Sequence, residues 1–245
     1  KLMGDGLENA AGEGLKKILE KVTKNPIIAV VVGAIVTMVI QSSSATTVMV
    51  VGFVNAGLMN LAQAAGIIMG ANIGTTITAQ LVAFKLDTIA RILFVGMGTM
   101  SGAMKPLTSL PVFQEILTTV GQHWYLGIIA GAVITAVLQS SSATTGILVA
   151  LATAGAIDIK MALPIIFGCN IGTCVTAMLA TIGTNKTAHR AAMLHFIFNV
   201  AGTVIFLPFL LTGWLGDLVS YFSDNVTRQI ANSHTLFNLI NVIIL

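Results

Sequence analysis

Two seven-residue segments, Gln41 to Thr47 and Gln139 to Thr145, share the sequence Gln-Ser-Ser-Ser-Ala-Thr-Thr and each sets one carboxamide and five hydroxyls inside a long apolar run. Consecutive serines at a helix start offer hydroxyl donors beside backbone N–H groups that have no intrahelical acceptor, at the positive end of the helix dipole. That combination holds an oxyanion without a formal positive charge. The same hydroxyls and exposed carbonyls can coordinate Na+. A site with no obligatory Arg or Lys suits a carrier, because cations bound beside an anion supply the compensating charge and leave with it.

A second polar motif follows each of these, Asn-Ile-Gly-Thr at 72 and again at 170. Asn72, Thr75 and Thr78, and likewise Asn170, Thr173 and Thr176, stand three residues apart and so share one helix face. Hard oxygen ligands without a carboxylate favour a monovalent cation over Ca2+ or Mg2+. The segment from Gly70 to Thr76 is no phosphate-cradling P-loop, since it lacks the lysine and the four-residue gap between glycines. Gly70 with Gly74, and Gly168 with Gly172, also make the GxxxG spacing of closely packed helices, which explains the glycines but not the Asn and Thr residues.

A single Ser or Thr in an apolar helix commonly back-bonds to a carbonyl or joins two helices. Six or seven consecutive polar and small residues, present twice, demand more partners than that. Polar groups left unpaired in hydrocarbon cost roughly several kcal/mol each. His195 and His234 have two readings, proton carriers or gates on one side and hydrogen bonding within the bundle on the other, the second being usual for a lone histidine in an apolar helix. Asp87 and Arg91, four apart, make a structural ion pair beside a span end. Cys169 and Cys174 lack a His or Cys partner at metal-ligand spacing and read as buried small residues.

Both motif pairs are offset by 98 positions, from 41 to 139 and from 72 to 170, so the chain carries a duplicated unit. The match extends to Gly33-Ala34 with Gly131-Ala132 and to Ile67-Ile68 with Ile165-Ile166, and roughly half of the aligned positions agree. A weaker echo relates His195-Phe196-Ile197-Phe198-Asn199 to His234-Thr235-Leu236-Phe237-Asn238.

The elements that must position these groups are membrane helices. Hydrophobic residues make up 56% of the 245 and charged ones 9%, against about 25% charged in an ordinary soluble domain. Residues 26–84, 124–157 and 191–214 contain no Lys, Arg, Asp or Glu, and a span needs about 20 apolar residues. The fold class is therefore all-α and polytopic, since a barrel would show short alternating strands. Each repeat reads as an apolar run broken at the serines, a turn near Asn55 to Asn60 or Ala154 to Lys160, and a second run broken at Asn-Ile-Gly-Thr. Pro26 to Val54 is too long for one span, which predicts a re-entrant hairpin or broken helix carrying the serines, buried in protein or facing water. Further spans are expected near Thr88 to Met104 and Ala188 to Leu211.

The division expected is an amphipathic N-terminal segment at 1–25, a first repeat at 26–123 and a second at 124–245, the two inverted in the membrane. Lys85, Lys105, Lys160 and Lys186 in the short loops do not fix the orientation. Leu15, Ile18, Leu19 and Val22 lie at helical spacing among four lysines, which suits a helix on a membrane surface or an ordinary solvated cap. The polar opening does not read as a signal peptide, and both chain ends read as cuts through longer elements. A net charge of +3 with scattered basic residues argues against nucleic acid.

With QSSSATT followed by GANIGTT, then QSSSATT followed by GCNIGTC, the chain resembles the type II sodium-dependent phosphate cotransporter family over essentially Asp5 to Leu245. Leu2 to Leu7 and the His-Thr-Leu-Phe-Asn of 234 to 238 resemble bacterial members. The resemblance implies a multi-pass protein of the bacterial inner membrane that moves inorganic phosphate inward with Na+, by alternating access, through inverted repeats whose serine hairpins meet near the membrane centre. It implies phosphate at Ser42, Ser43, Ser44, Ser140, Ser141 and Ser142. It implies sodium at Gln41, Thr75, Thr78, Gln139, Thr173 and Thr176, which joins the oxygen-ligand reading of Asn72 and Asn170. Na+ is then the coupling ion, with no organic cofactor and no enzymatic role. A PhoU-like regulatory domain, absent after Trp214 or supplied separately, and a homodimer are compatible with it. The second motif departs from the first in carrying Cys174 where the first has Thr76. A channel with a Ser/Thr-lined filter and an intramembrane serine hydrolase are the rival classes.

Overall fold

A computed structural model describes residues 19–83 and 108–245, with 17, 99, 102 and 106 besides. The first half contains α1 (Pro26–Ile40), α2 (Ser43–Asn55) and α3 (Leu61–Ala83). The rest contains α4 (Pro111–Gln122), α5 (Trp124–Leu138), α6 (Ser141–Thr153), α7 (Ile159–Ala180), α8 (Lys186–Leu211), α9 (Trp214–Phe222) and α10 (Val226–Ile244). Among the described residues there is no strand. The expected ion pair of Asp87 with Arg91, the span near Thr88 to Met104, Lys85 and Lys105, and most of the amphipathic N-terminal segment lie outside the described residues. Of that segment, residues 19–23 are helical.

Local chemistry sets the helix starts. Asn25 accepts from the Ile27 amide with Pro26 in the first turn, and Asp158, Asn185 and Asn225 cap α7, α8 and α10 in the same way. Before α3, Asn60 and Gln63 form a reciprocal capping box, with bonds of 2.8 and 2.9 Å. The two expected turns fall between α2 and α3 and between α6 and α7. Gly57 (φ 69) and Gly155 (φ 75) supply the left-handed backbone each turn requires.

Among the described helices, α1 with α3 and α5 with α7 pack most extensively, and small residues let their backbones approach. A Cβ placed on Gly33 would lie 2.1 Å from the Ile67 carbonyl oxygen, and one on Gly70 1.9 Å from that of Val30. The second half repeats this at Gly131 against Ile165 (2.1 Å) and Gly168 against Ile128 (2.0 Å). Lipid tails are as apolar as leucine, so helices associate in a bilayer through such close packing. One contact has exchanged its small partner: Gly66 faces Ala29 in the first half, whereas Gly127 faces Pro164 in the second.

The halves interleave. α2 packs on α7 and α6 on α3, while α8 contacts α2, α3 and α7, and α10 contacts α6, α7 and α3. Phe167 stacks on Phe237 at 4.6 Å, with Phe206 5.0 Å from Phe237, where α7, α8 and α10 meet. The outward faces of α1 and α5 carry large exposed apolar residues in rows, Ile27, Val31 and Ile35 on one and Ile129, Val133 and Val137 on the other. A continuous apolar exterior of this kind is a lipid surface. α7 and α8 are each long and apolar enough to cross a bilayer, and α4 joins α5 across a bend of 118°. The protein is a helical membrane protein.

Replacing Gly70 or Gly168 with Ala is expected to force α1 from α3, or α5 from α7, at a cost of about 1–3 kcal/mol. Thermal unfolding in detergent reads this as a lowered midpoint for each variant.

Candidate functional site

Both serine motifs break their helix in the same way. α1 stops at Ile40, and Gln41 turns left-handed at φ 60 and ψ 24; Gln139 does so at φ 53 and ψ 25. They are the non-glycine residues with positive φ among the described residues. This conformation costs a residue with a Cβ roughly 1–2 kcal/mol, so the surroundings must hold it. Ser42 and Ser140 then run extended and cap the next helix, each Oγ accepting from the amide of Ala45 or Ala143 at 3.2 Å. A hydroxyl pair bridges each break, Thr37 to Thr46 and Thr135 to Thr144, both at 2.9 Å and both buried.

The two breaks meet. Ser44 Oγ donates to the carbonyl of Gln139 at 3.0 Å, and Thr75 Oγ1 lies 3.3 Å from Ser142 Oγ. The starts of α2 and α6 therefore adjoin across 95 residues of sequence. The first-turn amides of Ser43, Ser44, Ser141 and Ser142 have no acceptor inside their helices. Ser43 and Ser141 are only 4% and 3% exposed, and their hydroxyls bond no other described residue. Two helix dipoles and several unused donors thus converge where the flanking segments 26–83 and 124–157 carry no ionised side chain.

Of the second motifs' oxygen-bearing side chains, Thr75 and Thr78 reach the serine motifs. Gln41 Oε1 accepts from Thr78 Oγ1 at 2.7 Å, and its Nε2 donates to the Met38 carbonyl. Thr75 reaches Ser142, whereas its counterpart Thr173 bonds back to the Cys169 carbonyl at 2.9 Å. Thr176 Oγ1 is buried without a partner among the described residues, as are Thr47 Oγ1 and Thr145 Oγ1. The Gln139 side chain is exposed. Asn72 and Asn170 are engaged elsewhere, each side-chain oxygen facing a histidine Nε2 at 3.3 Å, that of His195 and His234 respectively.

A sequence model of the Na+/Pi-cotransporter family matches residues 1–95 and 92–242, nearly the whole chain. The chain belongs to this family. Among relatives of the chain is YqeW of Bacillus subtilis, an uncharacterised protein 30% identical over 99% of the chain and 88% of its own length. YjbB of Escherichia coli, whose name carries a proposed role in inorganic phosphate export, is 27% identical over 98% of the chain and 49% of its own length. The chain thus spans about half the length of that relative. The sodium-dependent phosphate transport protein 2C of Rattus norvegicus is 38% identical over 40% of the chain and 18% of its own length. No solved structure matches it.

In this member of the Na+/Pi-cotransporter family, the weak echo between 195–199 and 234–238 is structural. Each histidine holds the asparagine of one Asn-Ile-Gly-Thr motif, and Asn199 and Asn238 each bond back to their histidine's carbonyl at 2.9 Å. Seven residues past each histidine the helices touch, since a Cβ on Gly202 would lie 2.2 Å from Asn241 Nδ2. The repeated His-x-x-x-Asn spacing was the available signal; short motifs of this length recur by chance, so it carried little weight alone. Neither His195 nor His234 hydrogen-bonds a serine among the described residues: each Nε2 faces an asparagine and each Nδ1 lacks a partner there. Buried Cys174 accepts from Asn199 Nδ2 at 3.3 Å, so it packs into this network.

Asn72→Ala strands His195 Nε2 and Asn199 Oδ1 in the interior, at roughly 1–3 kcal/mol per stranded group, and a lower unfolding midpoint is expected. Gln41→Gly loses the Thr78 bond but relieves the left-handed backbone. Its unfolding free energy is expected to stay within about 1 kcal/mol of the parent in the same assay.

Proposed function

We propose that the chain is a secondary active transporter that carries inorganic phosphate with Na+ across the cell membrane, by alternating access, at the junction of the two serine motifs. The observation that carries this reading is the bond from Ser44 to the Gln139 carbonyl, which brings two helix starts and their unused donors together in a zone without ionised side chains. Phosphate takes the donors of Ser42, Ser43, Ser44, Ser140, Ser141 and Ser142. Sodium takes oxygens of Gln41, Thr75, Thr78, Gln139, Thr173 and Thr176, with Asn72 and Asn170 as further oxygens behind them. The cations offset the phosphate charge that the protein leaves uncompensated, which couples the two cargoes.

The halves 26–123 and 124–245 act as inverted repeats, each with a re-entrant serine hairpin, and the membrane is the bacterial inner membrane. Support for sodium comes from the name of the rat relative; support for phosphate comes from that name and from the name of the Escherichia coli one. That second name concerns export, and one coupled site serves either direction, set by the gradients imposed. A separate PhoU-like regulatory partner and a homodimer belong to the same proposal.

Radiolabelled phosphate uptake into proteoliposomes tests this, with external Na+ or with choline in its place. Saturable, gradient-dependent accumulation with Na+ alone is expected; equal uptake under both conditions sinks the coupling, and unsaturable flux favours a channel. Ser43→Ala with Ser141→Ala removes donors worth about 1.5–3 kcal/mol each to a charged acceptor, so half-saturation by phosphate is expected to rise at least about tenfold. Gln41→Gly is expected to raise half-saturation by Na+ while the protein remains folded.

A further inference from the structure

Two short helices sit apart from the transport machinery and share a design. In α4 the apolar residues Val112, Phe113, Ile116, Leu117 and Val120 fill one continuous sector, and Gln114, Glu115, Thr118, Thr119 and Gln122 fill the other. The protein covers only part of the apolar sector. Phe113, Leu117 and Val120 pack on the core, while Val112 and Ile116 stand 69% and 54% exposed beside them.

The pattern recurs in α9. Leu215, Gly216 and Val219 are buried and Leu218 is half-buried, while Trp214, Tyr221 and Phe222 of the apolar sector are exposed. Tyr221 and Phe222 are 87% and 64% exposed, values that water would penalise and a bilayer would not. Asp217 and Ser220 take the remaining side of this helix.

Both helices lie at the same end of the bundle. Gly121 of α4 abuts Met161, with a Cβ there 3.0 Å from its Cγ, and Gly216 of α9 faces Leu163, at 3.7 Å from its Cδ1. Met161 and Leu163 belong to the first turns of α7, and Phe113, Leu117, Leu215 and Val219 join one core around them. The 118° bend at His123 turns α4 away from the direction of α5, so α4 does not prolong that span. Directly after the bend, Trp124 and Tyr125 are exposed, level with this end of the bundle.

We propose that α4 and α9 form one shelf lying in the headgroup zone of a single leaflet, with Trp124 and Trp214 as its aromatic anchors. The ligand of this surface is the water–lipid boundary itself, which takes an amphipathic helix with its apolar sector toward the acyl chains and Trp and Tyr at the polar edge. Neither helix contains Lys or Arg, and their ionised residues are Glu115 and Asp217. Binding therefore rests on apolar burial and aromatic anchoring rather than on attraction to anionic lipid.

The chain has two tryptophans, Trp214 opening α9 and Trp124 opening α5 directly after the bend that ends α4, so intrinsic fluorescence reports on the shelf and its edge. The full chain is reconstituted in phosphatidylcholine carrying bromine either near the headgroup end of the acyl chain or near its terminus, and Trp124→Phe and Trp214→Phe separate the two signals. Quenching at least about twofold stronger from the headgroup-end bromine is expected for both tryptophans, because an interfacial ring sits at that depth. Replacing part of the lipid with phosphatidylglycerol is expected to leave it unchanged. Stronger quenching from the chain terminus would place the helices in the hydrocarbon and overturn the proposal. Absence of lipid quenching would overturn it too, the surface then being covered by protein such as a second copy. Should either variant fold poorly, the unmodified chain gives the summed signal, and the readout is independent of phosphate or sodium transport.

Discussion

Everything at the centre of this protein follows from two helix breaks placed where no ionised side chain is available. A break frees carbonyls at one helix end and amides at the next start, and in an apolar surrounding each must find a protein partner or a ligand. Here the breaks partly satisfy each other. The Gln139 carbonyl takes the Ser44 hydroxyl, and Gln41 turns its amide oxygen to Thr78. Such contacts require α2 and α6 to approach closely, and the glycine-lined contacts of α1 with α3 and of α5 with α7 fix where those helices start. The first-turn amides of α2 and α6 are the donors left over.

The duplication is close in backbone and looser in side chains. Gln41 and Gln139 differ by only a few degrees in φ and ψ, and the threonine bridges across the two breaks have equal length. Beyond that the halves diverge: Thr75 reaches across to Ser142, but Thr173 turns to its own helix, and Cys174 stands where the first half has Thr76. Identical halves would present two equal sets of oxygens. Unequal halves present two different sets of oxygens around the paired serines.

Around this centre, α8 and α10 act as braces. Their histidines hold Asn72 and Asn170, and those asparagines sit midway along α3 and α7, one turn before Thr75 and Thr173. A fully buried His–Asn pair in low dielectric is held firmly, because losing one partner leaves the other unsolvated. The braces thereby set the rotation of the helices that carry Thr75 and Thr173.

The sequence by itself determined the class and the duplication. Scarce charge and long apolar runs dictate membrane helices, and one offset shared by QSSSATT and Asn-Ile-Gly-Thr identifies the repeat, because local pattern and composition are written directly in the chain. The breaks at the serines were legible too, since an apolar run too long for one span must turn back somewhere; the second break expected at each Asn-Ile-Gly-Thr is absent, because α3 and α7 run as unbroken helix through residues 72–75 and 170–173. Which groups pair across the halves was not legible. Ser44 with Gln139, Asn72 with His195 and Asn170 with His234 stand 95, 123 and 64 residues apart, and only the interleaved packing of α2 on α7 and of α6 on α3 selects them. A polar residue announces that it needs a partner; its helix's rotation and neighbours decide which one it gets.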